Sequence, residues 1–271
     1  MTQAAGSAGG SQDPVAAVGA RVLCFLGKGG AGKTVLSCLA ARHLARPGRR
    51  VLLVDADPAR GLSAAVGLDG ADGRTLGEVR DRLVAEARAP DGSAATLAQA
   101  ADYLLLEALG EVRGFGFLAM GPGREPGCFC AVNRLLRDGL EALGTGFDHV
   151  VIDAEAGLEQ VSRQVFRRVD LPLVVTDASV RSAQAAVAIA RTAVRLGVLR
   201  PAGVIYNRVT GPDAALRTRL EAAGLADLGA VPLDEAVARA DREGRSLLEI
   251  PADTPAQVAL GAILERLGLA T

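Results

Sequence analysis

Apolar residues fall in short blocks along this chain, and between the blocks apolar positions recur every three or four residues. Residues 21–26, 50–54, 147–152, 171–176 and 202–206 are compact apolar runs of strand length, the pattern of strands covered on both faces. Residues 35–44 repeat Leu36, Leu39, Ala40 and Leu44 at helical spacing, and residues 180–196 form a second helical stretch. This alternation predicts an α/β fold: a single doubly wound, mostly parallel sheet flanked by helices. Residues 64–110 are less regular. Leu76, Val79, Leu83 and Val84 predict one helix and residues 97–109 another, separated by Pro90, Asp91 and Gly92, with a strand over 103–106 as the alternative. Residues 114–120 predict a strand closed by Gly121, Pro122 and Gly123, and a final helix uses Val258, Ile263, Leu264 and Leu267 as its apolar face. Residues 1–19, rich in Ala, Gly and Ser without periodicity, predict a flexible tail, leaving 20–271 as one domain.

The run Gly27, Lys28, Gly29, Gly30, Ala31, Gly32, Lys33, Thr34 lies between the first strand and the first helix. Its glycines let backbone N–H groups turn toward phosphate oxygens, and the helix that follows adds the positive end of its dipole. The order of strand, loop and helix makes this a phosphate-binding loop and the fold that of a P-loop NTPase. Lys33 is placed for the β- and γ-phosphates of ATP and Thr34 for Mg²⁺. Asp55 and Asp57 follow the second strand, at the carboxyl end where ligands bind in open α/β sheets. Asp153 ends the 147–152 strand at a Walker B position, where a carboxylate supports Mg²⁺ through water. Gly157, a little further on, suits a switch that moves on hydrolysis, with Glu155 an anchor or a solvated carboxylate.

Composition narrows the partners. Lys and Arg total 30 against 31 Asp and Glu, which provides no overall field for nucleic acid or an anionic membrane, and no apolar run reaches membrane-spanning length. The 254–271 segment carries Arg266 alone as a basic residue, too little for an amphipathic membrane anchor. Four cysteines in 271 residues do not make a disulfide framework, and residues 1–19 lack a secretory pattern, so the expected location is the cytoplasm. Cys24, Cys38, His43 and His149 fall in strand or helix patterns and read as structural.

Cys128 and Cys130 differ, because they follow glycine-rich punctuation. In an extended segment residues i and i+2 face the same way, and two thiolates alone make an open metal site. Two copies of the chain would supply four, a closed set for tetrahedral zinc, square-planar nickel or an iron–sulfur cluster.

Lys28, directly after the first glycine, resembles the signature lysine of the deviant Walker A group that includes MinD, ParA, ArsA and the nitrogenase iron protein. The resemblance implies that Lys28 reaches across a homodimer interface to the partner's nucleotide and that Asp57 positions or activates the attacking water, with Asp55 in support. It also implies that Asn207 contacts adenine and that residues 230–234, with Pro232, Leu233 and Asp234, close over the base. Cys128 and Cys130, the helix after them with Asn133, Leu135, Leu136 and Arg137, and residues 150–157 are similar to the CooC-type ATPases, maturation factors of nickel-containing carbon monoxide dehydrogenase. That likeness implies nickel or zinc held by the cysteines at the dimer interface and delivery to the dehydrogenase coupled to nucleotide turnover. Residues 123–126 lengthen the approach to the cysteines, and 59–61 lack the expected Asn-rich character. The alternatives are an iron–sulfur carrier of the nitrogenase iron-protein type and a metal-free positioning ATPase of the ParA or MinD type.

Overall fold

A computed structural model describes residues 20–57, 59–68, 75–89, 93–121, 130–154, 169–195, 202–212 and 214–269. The expected tail, Pro58, Cys128, Glu155 and Gly157 lie outside the described residues.

Eight strands form one sheet: β1 (Arg21–Gly27), β2 (Val51–Ala56), β3 (Gly110–Val112), β4 (Phe115–Ala119), β5 (His149–Ala154), β6 (Leu171–Thr176), β7 (Gly203–Asn207) and β8 (Asp227–Val231). Their order is β3-β4-β2-β5-β1-β6-β7-β8, and every neighbouring pair is parallel except β3 with β4. The described helices are α1 (Lys33–Leu44), α2 (Gly61–Ala65), α3 (Leu76–Ala87), α4 (Ala94–Ala108), α5 (Cys130–Gly144), α6 (Val180–Arg195), α7 (Ala214–Glu221), α8 (Glu235–Arg242) and α9 (Pro255–Arg266).

The period of two along β1 divides the core. Val22, Cys24 and Leu26 face one layer with Leu83 of α3, Leu104 of α4, Leu140 of α5 and Ala186 of α6. Leu23 and Phe25 face the other, with Leu36 and Leu39 of α1 and Leu260 and Leu264 of α9. A fully buried leucine stabilises the fold by roughly 2 kcal/mol, so central strands that are apolar at every position hold both layers at once. Cys24 and Cys38 are fully buried, and burial pushes both thiols well above their ordinary range, which fits a core role. His43 and His149 are partly buried, with burial lowering both below the usual imidazole value.

The structure settles one open choice, adds one strand and changes two expectations. Residues 103–106 belong to α4, where Leu104 and Leu105 face the core while Tyr103 and Leu106 are exposed, a helical rather than alternating division. The short β3, paired antiparallel with β4 around Arg113 and Gly114, is too brief to show periodicity. Ala230 and Val231 belong to β8 rather than to a loop, because they pair with Tyr206 and Asn207 of β7. On α9, Val258 is 58% exposed and the buried face is Ala256, Leu260, Ile263 and Leu264, so the apolar stripe is rotated from the expected one.

Both margins of the sheet are short or irregular. β3 has three residues. On β8, Leu228 is the extra residue of a bulge opposite the Val204–Ile205 step, and its carbonyl accepts a 2.7 Å hydrogen bond from Arg266 Nη2. Asp227 on the same strand is paired with Arg217 at 3.0 Å. No helix among the described residues is long and apolar enough to cross a membrane.

Candidate nucleotide site

The carboxyl ends of β1, β2, β5, β6 and β7 converge on the loop between β1 and α1, since Gly27 pairs with Val175, Asp55 with Asp153, and Thr176 with Tyr206. Two glycines of that loop have no substitute. Gly27 sits at φ 153° with a Cβ there colliding with the Val175 carbonyl, and Gly32 sits at φ 94° with a Cβ colliding with Asn207 Nδ2. Around Gly29 and Gly30 the space on the Cβ side is open, which leaves room for a ligand against the backbone.

Lys33 begins α1 and is almost buried, at 9% exposure. Its Nζ donates to the Lys28 carbonyl over a long 3.4 Å, so most of its donor capacity is uncommitted. Lys28 itself is exposed. Thr34 Oγ1 donates to Asp153 Oδ2 at 2.6 Å, uniting the loop with the end of β5. Asp153 Oδ1 is buried without a hydrogen-bond partner. Burial, opposed by the Thr34 hydrogen bond and the Lys33 charge and reinforced by Asp55 and Asp57, pushes the Asp153 carboxyl up to about 7. A divalent cation with its waters would supply what this carboxylate lacks, donors for Oδ1 and nearby positive charge, so Thr34 and Asp153 fit Mg²⁺. Gly61 of α2 lies against the same hydroxyl, since a Cβ there would stand 3.9 Å from Thr34 Oγ1.

The two aspartates of the second strand play unlike parts. Asp55 lies within β2, fully buried, and its carboxylate accepts from Ser63 N at 2.9 Å, Ser63 Oγ at 3.0 Å and Asp57 N at 3.2 Å. Burial still raises its carboxyl above the ordinary value. These bonds fix the chain between β2 and α2. Asp57 is half-buried, and of its oxygens Oδ1 accepts from Ala59 N at 2.8 Å, which fixes the carboxylate at the strand end.

Asn207 is the last residue of β7, is 4% exposed, and donates through Nδ2 to the Ala31 carbonyl at 2.8 Å. That bond uses one of the two Nδ2 hydrogens. Asp234 Oδ1 accepts from Ala236 N at 2.9 Å and Val237 N at 3.4 Å, while Oδ2 accepts from Ala256 N at 2.9 Å. Its carboxylate therefore caps α8 and the start of α9, and of the three loop residues Leu233, 67% exposed, offers a free side chain. Cys130 is exposed at the first residue of α5. Among the described residues no group of three or more His, Cys, Asp and Glu side chains could hold a metal ion.

Two residues at this site have no role in the sequence reading. Arg208 Nη2 donates to the Gly30 carbonyl at 2.6 Å and faces Asp177 Oδ2 at 3.5 Å. Their signal is positional: each directly follows a parallel strand, at the end where ligands bind.

A model of the CbiA family, the CobQ/CobB/MinD/ParA nucleotide binding domain, matches residues 23–248. An uncharacterised ATP-binding protein of Methanocaldococcus jannaschii is 31% identical over 254 residues, covering 91% of this chain and 98% of its own. The carbon monoxide dehydrogenase accessory protein CooC of Rhodospirillum rubrum is 32% identical over 258 residues, covering 91% and 97%. Among solved structures, the septum site-determining protein MinD of Pyrococcus horikoshii, complexed with Mg-ADP, superposes with a TM-score of 0.64 at 19% identity over 92% of this chain and 96% of that one. With the phosphate loop, the parallel sheet and the full-length relatives in agreement, the chain belongs to the CobQ/CobB/MinD/ParA family of nucleotide-binding domains.

Proposed function

We propose that this chain is a cytoplasmic ATP hydrolase that dimerises with bound nucleotide and carries nickel to carbon monoxide dehydrogenase during its maturation. The observation that carries the metal half of this reading is the exposure of Cys130 at the start of α5, two residues after Cys128, while Cys24 and Cys38 are sealed in the core. The similarity to a carbon monoxide dehydrogenase accessory protein along nearly its whole length supports the choice of client. The hydrolase half is supported by Lys33, Thr34 and Asp153 gathered at one loop.

In this reading the loop amides and Lys33 hold the β- and γ-phosphates. Asp57 accepts a hydrogen bond from the attacking water and sets it in line with the bond to the leaving ADP. The new bond joins that water oxygen to the γ-phosphorus, the bond to ADP breaks, and the water's proton leaves with phosphate or solvent. Bound at Thr34 and Asp153, Mg²⁺ supplies positive charge to the phosphate oxygens. Lys28 of each subunit meets the other's nucleotide, so a buried ammonium is compensated only when phosphate is present. The cargo site forms from Cys128 and Cys130 of both copies, four thiolates that suit nickel or zinc.

The test is anaerobic titration of nickel and of zinc, with mass determination, on the unaltered protein and on a variant carrying Cys128→Ala and Cys130→Ala, with and without nucleotide. One metal per dimer, lost in the variant, is expected. Metal binding that survives the double substitution would remove the metallochaperone function and leave the ATPase.

A further inference from the structure

Consecutive residues at the end of β7 hold consecutive carbonyls of the phosphate loop. Asn207 Nδ2 donates to Ala31 O at 2.8 Å and Arg208 Nη2 donates to Gly30 O at 2.6 Å. Arg208 reaches its carbonyl from a left-handed backbone, φ 60°, a conformation that costs free energy in a residue with a side chain. Asp177 stands behind it, its Oδ2 3.5 Å from the same guanidinium nitrogen. Asp177 is itself fixed, since its Oδ1 accepts from Ser179 N at 2.8 Å and its backbone N–H donates to Ser182 Oγ at 3.2 Å. Burial would raise the Asp177 carboxyl, but the Ser179 hydrogen bonds and the Arg208 and Lys28 charges together hold it below the usual carboxylate range.

In a trans peptide the carbonyl and the N–H that follows point in opposite directions. Holding the Gly30 and Ala31 carbonyls against β7 therefore turns the amides of Ala31 and Gly32 away from it. The Ala31 amide closes the loop onto the Lys28 carbonyl at 3.1 Å. The amides of Gly32, Lys33 and Thr34 donate to no protein acceptor among the described residues, and the first loop carbonyl to enter the helical pattern is Gly32 O, bonded to Leu36 N at 3.1 Å.

We infer that Asn207, Arg208 and Asp177 form a positioning clamp that shapes the phosphate loop before a ligand arrives, with Asp177 acting through Arg208. The inference rests on the nucleotide-binding reading of this loop and adds a task to Asn207 beyond contact with a base. Its ligand class is a polyphosphate, with or without a nucleoside.

The experiment measures affinity for MgADP and for magnesium tripolyphosphate, which has no base, in the full chain and in Asp177→Asn, Arg208→Ala, Arg208→Lys and Asn207→Ala. Removing the Asp177 charge from the neighbourhood of a polyanion would by Coulomb's law tighten binding. The clamp predicts the reverse: Asp177→Asn and Arg208→Ala weaken both ligands about five- to tenfold, the size of one ordinary hydrogen bond. Arg208→Lys, which keeps the charge and one donor, recovers part of the loss, and Asn207→Ala weakens tripolyphosphate as well as MgADP. Asp177→Asn is isosteric at a partly exposed site, and an unchanged thermal midpoint separates the effect from misfolding. Unchanged or tighter binding in Asp177→Asn overturns the clamp, as does an Asn207→Ala variant that loses MgADP affinity alone. Failure of the unaltered protein to bind either ligand would instead overturn the nucleotide site.

Discussion

Asp55 and Asp153 are register partners on adjacent parallel strands, yet one carboxylate is saturated with three protein donors and the other leaves a buried oxygen with none. The difference separates a residue that holds the chain from one with an acceptor to spare.

The unsatisfied partner makes stability depend on pH. With its carboxyl pushed up to about 7, Asp153 binds a proton in the folded protein that the unfolded chain releases at ordinary carboxylate pH. The folded state thus holds more protons between pH 4 and 7, so stability falls as pH rises through that window. Asp153→Asn removes the buried charge while still accepting from Thr34. At pH 8 it should stabilise the nucleotide-free protein by about 2 kcal/mol, and at pH 5 by much less, while ATP hydrolysis is lost. Thermal denaturation at the two pH values and phosphate release check this.

Asp57→Asn keeps the shape of the strand end and removes the carboxylate assigned to the water. Turnover should fall roughly 100-fold or more with nucleotide affinity nearly unchanged, as expected for a group that acts on the attacking water. Parallel measurement of kcat and of the dissociation constant for MgADP decides it.

Lys28 is exposed, so its removal should not disturb the folded monomer. Lys28→Ala should leave nucleotide affinity of the monomer within about threefold and abolish dimerisation driven by nucleotide. Sedimentation with and without a non-hydrolysable ATP analogue reads both; dimerisation equal to that of the unaltered chain contradicts the interface role.

Asp234→Ala should act on stability first. Its carboxylate accepts three backbone N–H bonds at the starts of α8 and α9, and helix caps contribute about 0.5–2 kcal/mol each, so a loss of roughly 2 kcal/mol is expected in urea denaturation. A variant of unchanged stability would show that the caps are dispensable.

The cysteines should divide in the same experiment. Cys130→Ser at an exposed helix start should change stability by less than about 0.5 kcal/mol, whereas Cys38→Ser places a hydroxyl in a sealed apolar layer and should cost about 1–3 kcal/mol.

The central strands were legible in the sequence because burial on both faces makes them apolar throughout, and residues 171–176 are found as β6 with the expected bounds. The loop at Gly27–Thr34 was legible because its backbone demands glycine where β6 and Asn207 crowd it. β3 and β8 escaped notice for a common reason: marginal strands bury little, and Asp227–Val231 carries half-exposed residues and a glycine where periodicity would appear. Arg208 and Asp177 were hidden differently. Their contacts run to backbone carbonyls and amides, which leave no trace in side-chain patterning, and their importance shows only when β6, β7 and the phosphate loop are brought side by side.

The bulge at Leu228, closed by Arg266, and the three-residue β3 blunt both flanks of the described sheet. In the proposed dimer, contact across the phosphate loops would leave little edge for further strand pairing, so the proposed cargo thiolates would stay at four.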